Sequence, residues 1–321
     1  MTSQISAKVI AHSSAFDSNN EIVTFELEYP RIIHSELMTH RLFSRNAASS
    51  RAIPVKTLIE MVRNEPAMPY RFGANQPGMQ DRGEEHDGVV GAGYSGRDWW
   101  KLAALSAARF AEELADAGYH KQIANRLLEP FQRIKTVLTA TEFANFWWLR
   151  LDKDADPTIK KLAEVMKEAY DSSEKEVLKP GEWHTPYVLH SEGKDGEIGY
   201  YVLDENNEWP EELSLEEALA ISSSCCAQVS YRRLNSTKDK ALDIYGRLLS
   251  GDKVHASPFE HQATPMDYVD IHTDYSTDII VQFFDGFLGG YTHVDVAGNF
   301  WSGNFKGFIQ HRQLLDNHTV W

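Results

Sequence analysis

Cysteine is almost absent from this 321-residue chain. The two that occur, Cys225 and Cys226, are adjacent, and neighbours rarely bridge, so no disulfide framework is expected. Such a pair suits an inert helix end better than a nucleophile. Long apolar runs are missing too: no stretch approaches a membrane span, and the N-terminal M-T-S-Q-I-S-A-K lacks a signal-peptide core. These absences predict a cytoplasmic protein without a membrane partner. Positive charge is scarce, with 32 Lys and Arg against 47 Asp and Glu, a net charge of −15. That balance argues against nucleic acid as a partner, because such binding rests on neutralising phosphates. The remainder is ordinary for a globular protein, with 42% hydrophobic and 25% charged residues. The length admits one large domain or two smaller ones.

Against this acidic background, residues 31–51 carry Arg31, Arg41, Arg45, Arg51, His34 and His40 with one acid, Glu36. Local positive charge in a negative chain is a place to hold an anion. Ser44, Asn46, Ser49 and Ser50 add hydroxyl and amide groups that bond phosphate oxygens, and arginine forks grip phosphate in bidentate fashion. On charge alone, a solvated basic helix face explains the stretch better.

Glu21 to Tyr29 alternates apolar and polar residues, the pattern of a half-buried strand, which Pro30 ends. Ile33, Leu37 and Met38 suit a short helix carrying His40 and Arg41 near its end. Residues 70–98 are glycine-rich and predict a long loop of the lid or binding kind. Gly91, Gly93 and Gly96 spell G-x-G-x-x-G, but only Val89 and Val90 precede them and no acid follows at the spacing a dinucleotide site needs. Trp99 to Ala117 predicts a helix with Ala103, Ala107, Phe110, Ala111 and Leu114 on its core stripe. Arg126, between Ile123 and Leu127, is expected at the edge of a buried face. Asp156 and Pro157 start a helix with the stripe Ile159, Leu162, Met166 and Tyr170. Residues 182–210 read as an aromatic β segment with an Asp195-Gly196 turn. Ser214 and Glu217 make a capping box. Thr237 caps another helix, with Leu242, Tyr245 and Leu249 as its stripe. His255, Glu260 and His261 in H-A-S-P-F-E-H match no zinc-helix spacing, and Pro258 opposes a continuous helix, so no metal is expected.

The spacing H-R-x-x-S-x-N-x-x-S-x-R, from His40 to Arg51, resembles the signature of the flavin-dependent thymidylate synthases, R-H-R-x-x-S-x-N-E-x-S-x-R. Two further pieces resemble that family: A-N-R-L-L-E-P with N-F-W-W-L-R between Trp99 and Ala169, and A-Q-V-S-Y with H-A-S-P-F-E-H between Ala227 and His261. In the family the last piece runs directly into the signature, whereas here it follows about two hundred residues later. The resemblance implies an α+β fold, an antiparallel sheet packed with helices. It implies a single, circularly permuted domain with an insertion at about 180–213 and a C-terminal extension at about 265–321.

The resemblance also implies a chemistry: FAD, NADPH and methylenetetrahydrofolate serve to methylate carbon 5 of dUMP, without an enzyme cysteine, in a homotetramer. Ser49, Arg51 and Arg126 would hold the nucleotide, Arg126 chiefly its phosphate. Arg150 would lie against the pyrimidine and stabilise negative charge developing there. His40, Arg41, Asn46, Asn145, Ser230, Ser257 and Glu260 would contact the flavin, with His255 beside flavin and folate. Five positions depart from the family pattern. Thr39 replaces an arginine that contacts flavin phosphate, and Ala47 replaces a glutamate at the nucleotide. Glu36 stands for a glutamine near the nucleotide, Gln228 for an arginine and Asp154 for a histidine. A glutamate at 36 can accept from the exocyclic amine of cytosine, where uracil has a carbonyl. The departures therefore leave room for dCMP as substrate, for a hydroxymethyl product, or for a nucleotide-binding homologue without turnover.

Overall fold

Strands β1 (Ser6–Ala15) and β2 (Glu21–Pro30) open the chain as an antiparallel hairpin. The structure is a computed structural model describing residues 5–81, 83–193, 196–203, 210–229, 237–250, 254–267 and 289–319. Along β2, Val23, Phe25, Leu27 and Tyr29 all enter one core, as a period of two requires. The other face is covered as well, since Ile22 and Thr24 are also buried. A half-buried strand was expected; distant segments of the chain bury its second face. A 3-10 turn (Arg31–Ile33) and the one-turn helix α1 (His34–Leu37) lead to the short strand β3 (Ser44–Ala47). Helix α2 (Val55–Asn64) follows. The glycine-rich region is largely irregular and ends in a small hairpin, β4 (Val89–Gly91) and β5 (Tyr94–Ser95). The G-x-G-x-x-G triplet thus spans a hairpin and a helix start.

Helix α3 (Gly96–Asp116) begins with a capping box between Ser95 and Asp98. Its stripe matches the expected one in part: Ala111 is buried and Ala107 packs beside it, but Phe110 is not in the core. Ala104, Ala108 and Ala111 are buried against α2, while Phe110 is 52% exposed along with Trp99, Leu102 and Leu105. Alanines let two helices approach closely, so the small face packs inward and the bulky apolar face stays outside. Next come α4 (Lys121–Ala124), a 3-10 segment (Asn125–Phe131), β6 (Arg133–Ala140) and α5 (Ala144–Arg150). Helix α6 (Pro157–Ser172) is capped by Asp156, whose carboxylate accepts from the amides of Thr158 and Ile159. Strand β7 (Glu176–Leu178) completes a five-stranded sheet of order β3-β6-β2-β1-β7. All its pairings are antiparallel except β1 with β7.

The 182–210 region does form β structure: β8 (Leu189–Glu192), β9 (Ile198–Leu203) and β10 (Pro210–Leu213) make an antiparallel sheet. Asp195 of its expected turn lies outside the described residues. Helix α7 (Leu215–Ala227) carries the Ser214–Glu217 capping box. Thr237 is the N-cap residue of α8 (Lys238–Leu249), on which Leu242 is exposed and Ala241 is buried instead. A 3-10 turn (Ser257–Glu260) leads to β11 (Ala263–Pro265). The C-terminal segment supplies β12 (His293–Val294), β13 (Phe300–Ser302), β14 (Phe305–Lys306) and β15 (Phe308–Gln310), and β15 pairs with β11.

Helices α1, α5 and α6 close the main core on one face of the five-stranded sheet. On the other face, buried polar groups form a ladder. Ser13 Oγ lies 2.8 Å from His184 Nδ1, and His184 Nε2 lies 2.8 Å from Thr24 Oγ1. Thr24 Oγ1 meets Thr139 Oγ1 at 2.7 Å, and Thr139 Oγ1 meets His261 Nδ1 at 2.8 Å. Burial pushes His184 well below its ordinary pKa and His261 down to about 3, so both rings are neutral.

Candidate active site

The helix face of β3 gathers the first group of polar residues. Phe146 of α5 is buried and meets His40 edge-on, which seats the end of the helix against the turn after α1. Arg150 then fans over that turn. Its Nε donates to His40 Nε2 at 3.0 Å, Nη1 to Glu36 Oε2 at 3.2 Å and Nη2 to Thr39 Oγ1 at 3.3 Å. His40 is 8% exposed, and burial, then Arg150 and Arg45, push its pKa down to about 4. It is therefore neutral and carries its proton on Nδ1. Burial, then the charge of Asp156, raises the pKa of Glu36, and Arg150 opposes that shift. The Arg150 side chain keeps 19% exposure, so the guanidinium is fixed yet reachable. A cleft of about 550 Å³ lies between the 70–83 segment and the start of α6, lined by Tyr70, Arg71, Lys153, Asp154 and Lys160 among others.

Alternation along β3 splits its side chains between two faces. Arg45 turns to the helix side, where Nη1 donates to the carbonyls of Leu37 and His40, each at 3.1 Å. Ser44 and Asn46 turn to the other side. Asn46 Nδ2 donates to the Cys226 carbonyl at 3.2 Å, and Ser44 Oγ accepts from Asn304 Nδ2 at 3.0 Å. The 257–260 turn packs there, against β3 and α7. Ser257 and His255 are exposed, Glu260 pairs with Arg312, and His261 points inward to Thr139. Both cysteines are buried at the end of α7, and burial pushes the Cys225 thiol up to about 12.

A second group forms where the signature ends. Ser50 Oγ donates to Glu129 Oε1 at 2.8 Å, and Arg31 and Arg126 approach the same carboxylate at 3.3 and 3.8 Å. Arg126 is 63% exposed, with Ile123 and Leu127 exposed beside it. The expected edge of a buried face lies elsewhere, because this 3-10 segment packs inward through Asn125 and Leu128 and turns Arg126 and Leu127 to solvent. Ser49 is half-buried and Arg51 exposed. A cleft of about 700 Å³ opens beside them, lined by Ala48, Ala52, Ile53, Arg133 and Lys135 among others.

The sequence model of the thymidylate synthase complementing proteins matches residues 7–172, more than half of the chain. This chain belongs to that family. The matched stretch holds β1 to α6, including the signature, Arg126 and Arg150. Two solved structures of a UMP/dUMP methylase, PolB from Streptomyces cacaoi, bound with 5-Br UMP and with 5-Br dUMP, are each 18% identical to the chain. Each covers 52% of it, and 88% and 89% of the PolB chains are matched, with TM-scores of 0.37 and 0.35. No curated protein matches the chain in sequence.

Of the residues predicted for the family site, Glu36 and His40 both bond to Arg150. Asn46, Ser257 and Glu260 share the opposite side of β3, and Ser49, Arg51 and Arg126 group near Glu129. Arg41 and Asn145 are exposed on the surface, and Ser230 lies outside the described residues. Sequence reasoning missed Arg45 as a brace, and it gave Asn304, Gln310 and Arg312 no role. The one hint was N-F-K-G-F-I-Q-H-R, whose ending echoes the segment that closes at Arg41.

Proposed function

We propose that this chain is an FAD-dependent enzyme that transfers a one-carbon unit from methylenetetrahydrofolate to carbon 5 of a deoxypyrimidine monophosphate, converting dUMP to dTMP with NADPH as reductant. Membership of the family supports this. The observation that carries it is Arg150, held at three nitrogens by Glu36, His40 and Thr39 while still reachable. A guanidinium fixed before substrate arrives stabilises charge on a pyrimidine ring without reorganising. Ser49, Arg51 and Arg126 bind the nucleotide, Arg126 through its phosphate. The residues present fit a phosphorylated flavin, since the Asn46 side of β3 offers the exposed Ser257 and His255 and a buried N–H of Arg312 that meets no acceptor among the described residues. His40, Arg41, Asn46, Asn145, Ser230, Ser257 and Glu260 would hold it, with His255 beside flavin and folate. When bound, the flavin supplies the redox and carrier chemistry.

The contacts of Asn46 with Cys226 and of the 257–260 turn with β3 support a single permuted domain. Segments distant in sequence meet where the family's are consecutive. The insertion at about 180–213 and the extension at about 265–321 belong to this reading. The uncovered apolar face of α3, with Trp99, Leu102 and Phe110, supports a homotetramer, as do site residues left in separate groups within one chain. A second reading rests on Glu36. A carboxylate of raised pKa touching Arg150 suits cytosine, so dCMP methylation or hydroxymethylation is the alternative.

The test is an absorption spectrum of fresh protein, then mass spectrometry of products from dUMP and dCMP with methylenetetrahydrofolate and NADPH. Flavin with dTMP bears the proposal out. A cytosine or hydroxymethyl product transfers the case to Glu36. A chain that cannot be loaded with FAD has kept the fold without the chemistry.

A further inference from the structure

Resting on the flavin reading, we propose that the C-terminal segment is a wall of the cofactor site and that its Arg312 binds a phosphate of the flavin. The segment is fastened to the signature strand. Asn304 Nδ2 donates to the Leu42 carbonyl at 2.9 Å and to Ser44 Oγ at 3.0 Å, and Gln310 Nε2 donates to Asn304 Oδ1 at 2.9 Å. The turn between β14 and β15 favours Gly307, whose φ of +70° strains any L side chain and whose α-carbon faces the Asn20 side chain. β15 then pairs with β11, Ala263 opposite Gln310, and the His311 amide donates to the Gln262 carbonyl at 2.9 Å. This register sets Arg312 beside Glu260.

The guanidinium is incompletely satisfied. Nη1 pairs with Glu260, and Nη2 donates to the His318 carbonyl at 3.2 Å. The Nε–H is buried and meets no acceptor among the described residues. A buried donor left unmade is costly, and a simple ion-pair staple gives no reason for it. The side chain is 30% exposed, so a ligand can reach the fork. Arginine is the residue suited to phosphate in this geometry. The family's flavin-phosphate arginine is Thr39 here, and Thr39 Oγ1 is occupied with the Glu36 carbonyl and Arg150. A cation lost at the end of α1 is thereby supplied from another segment.

The experiment compares wild-type chain with Arg312→Gln and Arg312→Lys, measuring dissociation constants for FAD and for riboflavin, which has no phosphate. Arg312→Gln should weaken FAD at least tenfold and leave riboflavin within twofold, with Arg312→Lys between. Equal weakening of both flavins, or unchanged FAD affinity, overturns the proposal and leaves the flavin reading standing. If wild type binds no flavin, the flavin reading fails, and inorganic pyrophosphate decides the rest. A thermal upshift seen in wild type and lost in Arg312→Gln keeps the anion site; no upshift in wild type removes it.

Discussion

Arg150 Nε donates to His40 Nε2 across 3.0 Å, which fixes the imidazole as neutral and the guanidinium in one orientation. Arg150→Ala should therefore lower turnover by about 10²–10³, in line with loss of a preorganised charge stabiliser, and change nucleotide affinity far less. Single-turnover rates beside calorimetric binding separate the two. Equal loss of both contradicts an electrostatic role. Arg150→Lys should not restore activity, because one ammonium cannot span three acceptors.

Burial and, after it, the charge of Asp156 raise the pKa of Glu36, and Asp156 also caps α6. Asn caps as well as Asp does but carries no charge. In Asp156→Asn the Glu36 titration should move down while stability changes by less than about 0.5 kcal/mol. Carbon-13 NMR of the Glu36 carboxyl reads the first, and urea unfolding the second.

Arg126 is exposed and only loosely paired, so Arg126→Ala should leave stability within about 0.5 kcal/mol. Nucleotide affinity should nevertheless drop by about tenfold or more, the scale of a charge-assisted phosphate contact. Unchanged affinity refutes the phosphate role.

The buried histidines make the fold sensitive to acid. His184 and His261 have depressed pKa values in the folded chain, so below about pH 6.5 the unfolded chain binds protons that the folded one refuses. Their stabilising contribution is whole above that pH and is lost as the pH falls toward about 3, the value for His261. The slope is at most about 1.4 kcal/mol per pH unit for each ring. Urea midpoints at pH 7 and pH 5 measure it, and His261→Asn should flatten the difference.

The apolar face of α3 should be covered by another copy of the chain. Phe110→Asp should lower the sedimenting mass while leaving the monomer's helical signal intact. An unchanged mass would place the interface elsewhere.

Much of the fold was legible locally. β2, the Asp156 cap and the Ser214–Glu217 box all lie where alternation and capping chemistry place them, because each is decided within a few residues. The stripe of α3 is only partly legible, Ala107 and Ala111 but not Phe110, for the opposite reason: both its faces are apolar, and only contact with α2 chooses the alanines. Glu36, His40 and Arg150 could be named from the family resemblance, but the contacts of Arg150 with the other two span over a hundred positions. Arg312 left only a faint echo, since its placement depends on β15 pairing with β11.

By itself the sequence determined the local elements, the charge deficit with its basic island, and the family to which the chain belongs, since periodicity, capping and motif spacing are written in neighbouring residues. Tertiary structure alone decided which face of each element is buried and which distant groups share a carboxylate or a ring. Those outcomes follow from strand register and close packing, and no local stretch of chain encodes either.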